Sequence, residues 1–267
     1  MKVFISADIE GVTTITRWEE SDPKHASFNI HAEQMTNEVL AACEGAIAAG
    51  ATEIIVRDAH AKGCNINPTR LPKRVTLIRG WSYCPNCMVE GIDENFDAAM
   101  FIGYHSAAGR HGNPLSHTLS DKHTGITVNG RRASEFMLYS WAAALYGVPT
   151  VFLSGDKMLC EDDADLHPAL YTVSVKDGLG GATYCRSIED TLPEIRAKSE
   201  QSLRQNLGAA KINLPDSFEV EIFFNEHSYA EKVSHFPDVR KISDNTITFR
   251  RKDFYEVLRT LMWIIGI

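Results

Sequence analysis

Lys2-Val-Phe-Ile-Ser-Ala-Asp8-Ile-Glu10-Gly11 opens the chain and decides its class. Val3–Ala7 is a short apolar run of the kind seen in strands buried on both faces, and polar residues begin abruptly at Asp8. The pattern recurs downstream. Glu53–Arg57 carries Ile54, Ile55 and Val56 and ends at Asp58-Ala59-His60; Val75–Ile78 is strand-like. Ala98–Ile102 ends at Gly103-Tyr104-His105, and Thr150–Leu153 ends at Ser154-Gly155-Asp156. Helical patterns lie between. Ala32–Ala49 sets Met35, Val39, Leu40, Ala42, Cys43 and Ile47 near helical spacing and stops at Gly50. Ile126–Val128 leads through the Asn129-Gly130 turn to a second helix, Ser134–Tyr146, which Gly147 and Pro149 end. Buried strands alternating with helices specify an α/β fold, a mostly parallel sheet with helices on both faces.

The character changes at Asp177-Gly178-Leu179-Gly180-Gly181. Beyond it come a long helix, Ile188–Leu207, and a strand alternating as Phe218, Val220, Ile222 and Phe224. A short amphipathic piece (Tyr229–Phe236), a strand (Thr246–Arg250) and a closing helix from Asp253 complete the chain. The expected organisation is an α/β metal-binding catalytic domain over 1–180 and a smaller C-terminal α+β lobe over 181–267, a candidate for oligomerisation.

Composition narrows the function classes. The 267 residues are 44% hydrophobic and 23% charged, ordinary for a globular protein. A formal charge of −8 argues against nucleic acid as a partner, and no apolar run is long enough for a membrane span. The N-terminus enters a strand directly, with no signal-like apolar region, so the expected location is cytoplasmic. Six scattered cysteines suggest no disulfide framework. Cys84-Pro-Asn-Cys87 lacks the second pair of a zinc ribbon and comes too late for a thioredoxin-like site, so it reads as a loop with incidental thiols.

In a parallel sheet, ligands bind outside the carboxyl ends of the strands. Here those ends carry Asp8, Glu10, His60, His105 and Asp156. Any one of these is an ordinary cap or solvated residue, but their recurrence points to a site. Asp8 and Glu10, two apart in extended chain, point the same way and repel unless a proton or a cation intervenes. Imidazoles beside carboxylates favour zinc or a similar transition metal over magnesium or calcium. Histidines also fall at 105, 111, 117 and 123, an even spacing interrupted by Gly109, Gly112 and Pro114. That stretch reads as a loop over the site, and spacing alone does not choose among them. Glu135 reads first as an acid favourably placed at a helix N-terminus.

With these residues in hand, the chain resembles the binuclear zinc D-aminopeptidases encoded in bacterial dipeptide-permease operons, the DppA type. The resemblance rests on Ser6-Ala-Asp8-Ile-Glu10-Gly11, Asp58-Ala-His60, Met88-Val-Glu90-Gly91, Gly103-Tyr-His105, Ser116-His117, Glu135 and Ser154-Gly155-Asp156, in family order. It implies metal ligation by Asp8, Glu10, His60, His105 and Glu135, with Asp8 bridging two zinc ions per subunit and His117 as the catalytic residue. It also implies a ring-like homodecamer and short, D-residue-containing peptides as substrates. The expected reaction is hydrolysis of an N-terminal amide bond by water activated between two metals; the resemblance implies His117 as a nucleophile candidate, and a metal hydroxide favours general acid/base or oxyanion stabiliser instead. A binuclear phosphohydrolase and a non-catalytic, metal-stabilised peptide-binding protein are the alternatives. Asp156 is a candidate anchor for the substrate amine or a support for the ligands.

Overall fold

In the computed structural model, which describes residues 1–167 and 169–266, the opening apolar run is a buried strand, β1 (Lys2–Ala7). After it come α1 (Trp18–Ser21), α2 (Phe28–Ala48), β2 (Glu53–Asp58), β3 (Val75–Ile78) and β4 (Ala98–Tyr104). The middle of the chain forms β5 (His123–Val128), β6 (Arg131–Arg132), α3 (Glu135–Leu145), β7 (Thr150–Asp156) and α4 (Lys157–Asp162). Next are β8 (Tyr171–Leu179), β9 (Ala182–Cys185), α5 (Ile188–Arg204) and β10 (Phe218–Phe224). The chain closes with α6 (His227–Ser234), β11 (Val239–Lys241), β12 (Thr246–Arg251) and α7 (Phe254–Leu261).

Seven strands form one sheet in the order β3-β2-β1-β4-β7-β8-β9. All neighbours are parallel except the β8–β9 hairpin. This is the α/β architecture that the alternation of apolar strands and helices requires. Val3, Ile5 and Ala7 join Met35, Val39 and Ile195 in the core under α2 and α5, while Phe4 packs in the opposite core with Phe101 and Phe136. With both faces dry, the strand has no polar side to show, hence its continuous apolar sequence. Among the described residues no helix is long and apolar enough to cross a membrane.

A second, antiparallel sheet runs β11-β12-β10-β5-β6. Along β10, Phe218, Val220, Ile222 and Phe224 are buried, and Phe218 and Trp141 meet Phe254 of α7 at ring separations of 5.0 and 5.3 Å. β5 and β6 precede residue 180 yet pair in this sheet, whereas α5 follows it and packs on α2. The two sheets are thus divided by pairing, not by position along the chain. Residues 177–181, which break the helix–strand alternation, are the tip of the β8–β9 hairpin, turning at Gly180 with φ +58°. β8 is illegible as an apolar run because Thr172, Ser174 and Lys176 interleave its apolar residues.

The order of β2, β1 and β4 positions the site. As neighbours with their carboxyl ends at one edge, they deliver His60, Asp8 with Glu10, and His105 side by side.

Candidate metal centre

Asp8 and Glu10 leave β1 in a turn, so it is the turn and not the strand pleat that brings their carboxylates together. Gly11 is required there for space. A Cβ at this position would lie 1.8 Å from the Tyr104 carbonyl oxygen, and the Gly11 N–H donates to Gly103 at 2.8 Å. Its φ is not left-handed, so close approach of β1 and β4, more than backbone freedom, excludes a side chain.

Three imidazoles converge on three carboxylates. His60 Nδ1 lies 2.8 Å from Glu10 Oε2 and 3.4 Å from Asp8 Oδ1. His105 Nε2 lies 3.4 Å from Asp8 Oδ2 and 3.5 Å from Glu135 Oε2. His117 Nε2 lies 3.5 Å from Glu135 Oε1, and its ring stacks on that of His105 at 4.3 Å. Asp8, Glu10, His105 and Glu135 are all buried, so each charge needs a partner inside the protein. Glu135, the first residue of α3, is both a helix-entrance acid and a member of this cluster. Ser134 caps the helix by accepting from the Met137 N–H at 2.9 Å.

On each histidine the nitrogen away from the cluster donates to a backbone carbonyl. His60 Nε2 donates to Ser21 at 3.0 Å, His105 Nδ1 to Ser106 at 3.0 Å and His117 Nδ1 to Leu115 at 2.8 Å. In a neutral imidazole this leaves the inward nitrogen as a lone pair facing carboxylate oxygens. Asp8 Oδ2 and His105 Nε2 accordingly have no hydrogen-bond partner, although both are buried.

The spacings of 3.4–3.5 Å exceed the about 2.7–2.9 Å of a charge-assisted hydrogen bond. They match ligands about 2.0–2.2 Å from a tetrahedral cation, which lie roughly 3.3–3.6 Å apart. Two sets have ligand atoms within 4.8 Å of one another: Asp8, Glu10 and His105, and His105, His117 and Glu135. The electrostatics agree. Burial, reinforced by Glu10, pushes the Asp8 carboxyl well up. At His105 burial is outweighed by Glu135 and Asp8, which raise the imidazole to about 10. Three buried carboxylates demand positive charge, which protons on the imidazoles or divalent cations can provide.

A family model for D-aminopeptidases (peptidase family M55) matches residues 1–263. The chain belongs to the D-aminopeptidase family. It is 27% identical over 264 residues to a D-aminopeptidase of Bacillus subtilis (strain 168), spanning 98% of this chain and 96% of that one. It also matches the structure of the Zn-dependent D-aminopeptidase DppA from Bacillus subtilis, a self-compartmentalizing protease. That match has a TM-score of 0.91 at 26% identity and covers 100% of this chain and 97% of the other.

In this member of the D-aminopeptidase family a cavity of about 430 Å³ opens onto Asp8, Glu10, His60, His117 and Glu135. Its apolar wall includes Trp81, Met88, Leu119 and Met262. The indole N–H of Trp81 donates to the Ala61 carbonyl at 2.7 Å, and the Arg57 guanidinium stacks on its ring at 3.9 Å. Trp18 lies edge-on to His117 at 5.1 Å. None of these wall residues carries a sequence signal, because an isolated aromatic looks the same in a core, on a surface or in a cavity. Cys84 and Cys87, read as incidental thiols, also line this cavity. Burial pushes the Cys87 thiol up to about 11, so near neutral pH it is protonated lining and not a thiolate.

Asp156 does not reach the cavity. Its carboxylate accepts from the Ser106 N–H and hydroxyl, both at 2.6 Å, and caps α4 through Leu159 N–H at 2.9 Å. It therefore steadies the residue after His105 and is no amine anchor. His111 is exposed, and His123 is buried in the second sheet, 6.4 Å from the Phe224 ring.

Lys176 supports the cluster from below. Its buried ammonium donates to the Glu10 and Ile15 carbonyls, the latter at 2.7 Å, and Asn113 Nδ2 donates to Glu10 O at 2.9 Å. Lys176→Met keeps the length and removes the donors. It is expected to cost about 1–3 kcal/mol of stability and to lower turnover as Glu10 loosens. Urea unfolding midpoints and kcat would check this; an unchanged midpoint would mean that the Lys176 contacts do not hold the loop.

Proposed function

We propose that this protein is a zinc-dependent aminopeptidase that removes the N-terminal residue, a D-residue, from short peptides. The observation that carries the reading is the set of 3.4–3.5 Å separations about His105 Nε2, whose far nitrogen is committed to a carbonyl. In this reading Asp8, Glu10, His60, His105 and Glu135 hold two zinc ions. Asp8 would be shared by the two ligand sets, since its Oδ1 faces His60 and its Oδ2 faces His105. Bound there, the ions supply Lewis-acid polarisation of a carbonyl and a water acidic enough to ionise near neutral pH.

The chain's own groups do the rest. His117 is oriented by Leu115 so that Nε2 is free to hold or deliver a proton at the cavity. Glu135 keeps one oxygen near that nitrogen while accepting the Leu119 N–H at 2.6 Å, which fixes its rotamer. The Trp81, Met88 and Met262 wall sheds water from the reacting bond. Assembly of several copies around enclosed active sites, a homodecamer in the fullest form, belongs to the same proposal. The similarity to a self-compartmentalizing protease supports it. Free, exposed Cys64 and Cys185 suit a reducing cytoplasm.

The test is hydrolysis of D-Ala and L-Ala p-nitroanilides and of p-nitrophenyl phosphate by chelator-stripped and zinc-restored protein. Cleavage of the D-anilide that zinc restores is expected. Phosphate release without anilide cleavage would select the phosphohydrolase reading, and no turnover with tight peptide binding would select the binding protein.

A further inference from the structure

A free short peptide ends in a carboxylate, and the cavity that opens onto the proposed metal ligands offers a cation to receive it. Its floor holds the carboxylates of Asp8, Glu10 and Glu135. Among the described residues, Lys62 is the only lysine or arginine lining it. Lys62 is exposed, and its ammonium has no hydrogen bond or ion pair among the described residues. A second cavity, of about 350 Å³, meets the first at Glu10, His60 and Ala61 and is lined by Glu19 and Asp22, with no lysine or arginine among the described residues.

The turn that carries Lys62 is held in place. Ala61 adopts a left-handed φ of +49°, unusual for a residue with a side chain, and its carbonyl accepts the Trp81 indole N–H. Gly63 N–H donates to His60 O at 2.8 Å, and Gly80 N–H donates to Gly63 O at 2.9 Å. A Cβ on Gly63, itself at φ +62°, would lie 2.9 Å from Gly80 N. The same pinned turn thus sets His60 at the metal centre and, two residues on, a cation at the cavity wall.

We propose that Lys62 binds the C-terminal carboxylate of the substrate and so selects short peptides with a free C-terminus. This rests on the peptidase reading above. A dipeptide spans at most about 7 Å, so its carboxylate stays near the bond being cut, whereas a longer peptide carries it farther away. Lys62 is a specificity-determining residue here and takes no part in bond cleavage.

The experiment measures kcat and KM of the zinc-loaded protein on D-alanyl-D-alanine and on its C-terminal amide. It is repeated for Lys62→Gln, Lys62→Glu and Lys62→Arg. The parent is expected to favour the free acid by about five- to tenfold in kcat/KM, mostly through KM. That preference should vanish in Lys62→Gln, invert in Lys62→Glu and return in Lys62→Arg. An acid-to-amide ratio equal in parent and Lys62→Gln, with both substrates cleaved, overturns the assignment of Lys62 and leaves the peptidase reading intact. Cleavage of neither by the parent overturns the peptidase reading, and this inference with it.

Discussion

Asp8→Asn is expected to reduce turnover by on the order of 10³-fold or more and to release at least one equivalent of metal. The carboxylate faces His60 with one oxygen and His105 with the other, so an amide leaves one of the two positions with a neutral nitrogen donor where an anion is needed. Stability should move the opposite way from activity. Asp8 is one of three buried carboxylates, and its carboxyl is pushed up by burial and by Glu10. The metal-free variant should therefore melt no lower than the metal-free parent. Added zinc should raise the parent's stability by about 2.7 kcal/mol at a hundredfold excess over Kd, and the variant's by much less. Elemental analysis paired with thermal melts makes the separation. A variant that keeps both equivalents would show that Asp8 does not bridge.

His117→Ala should leave both metals in place and still lose about 10²–10⁴-fold in kcat, the usual contribution of a positioned acid or base. The imidazole stacks on His105 but makes no contact that His105 needs, since His105 is oriented by Ser106. Glu135 also keeps its hydrogen bond from Leu119 in the variant. Because His117 Nε2 is as close to Glu135 as His105 Nε2 is, distance alone does not separate a ligand from a proton carrier. The metal content does. Loss of an equivalent along with activity would make His117 a ligand.

The parallel sheet was legible because β1, β2, β4 and β7 are largely buried, which keeps their runs mostly apolar despite Ser6, Arg57 and Ser154. β8 was not, since its interleaved Thr172, Ser174 and Lys176 remove the apolar signal while Lys176 serves the loop beneath Glu10. Residues at strand ends were readable as a candidate site because topology alone brings adjacent strand ends together. His117 and Glu135 lie off the strand ends, on a loop and a helix entrance, and only the resemblance singled them out. The cavity wall was not readable at all. Trp81, Leu119 and Met262 come from three separate parts of the chain, and nothing in their local sequence says that they line one cavity.

Every proposed ligand and His117 occur in the first 135 residues, yet β5, which ends the loop bearing His117, pairs with β10 at Phe218–Phe224. The end of that loop is also tied down late: Asn225 donates to the carbonyls of Lys122 and Asp121 at 3.0 and 2.6 Å. The loop bearing His117 is therefore anchored by a strand far from it in sequence, and a substitution that unseats β10 is expected to cost activity without touching any proposed ligand.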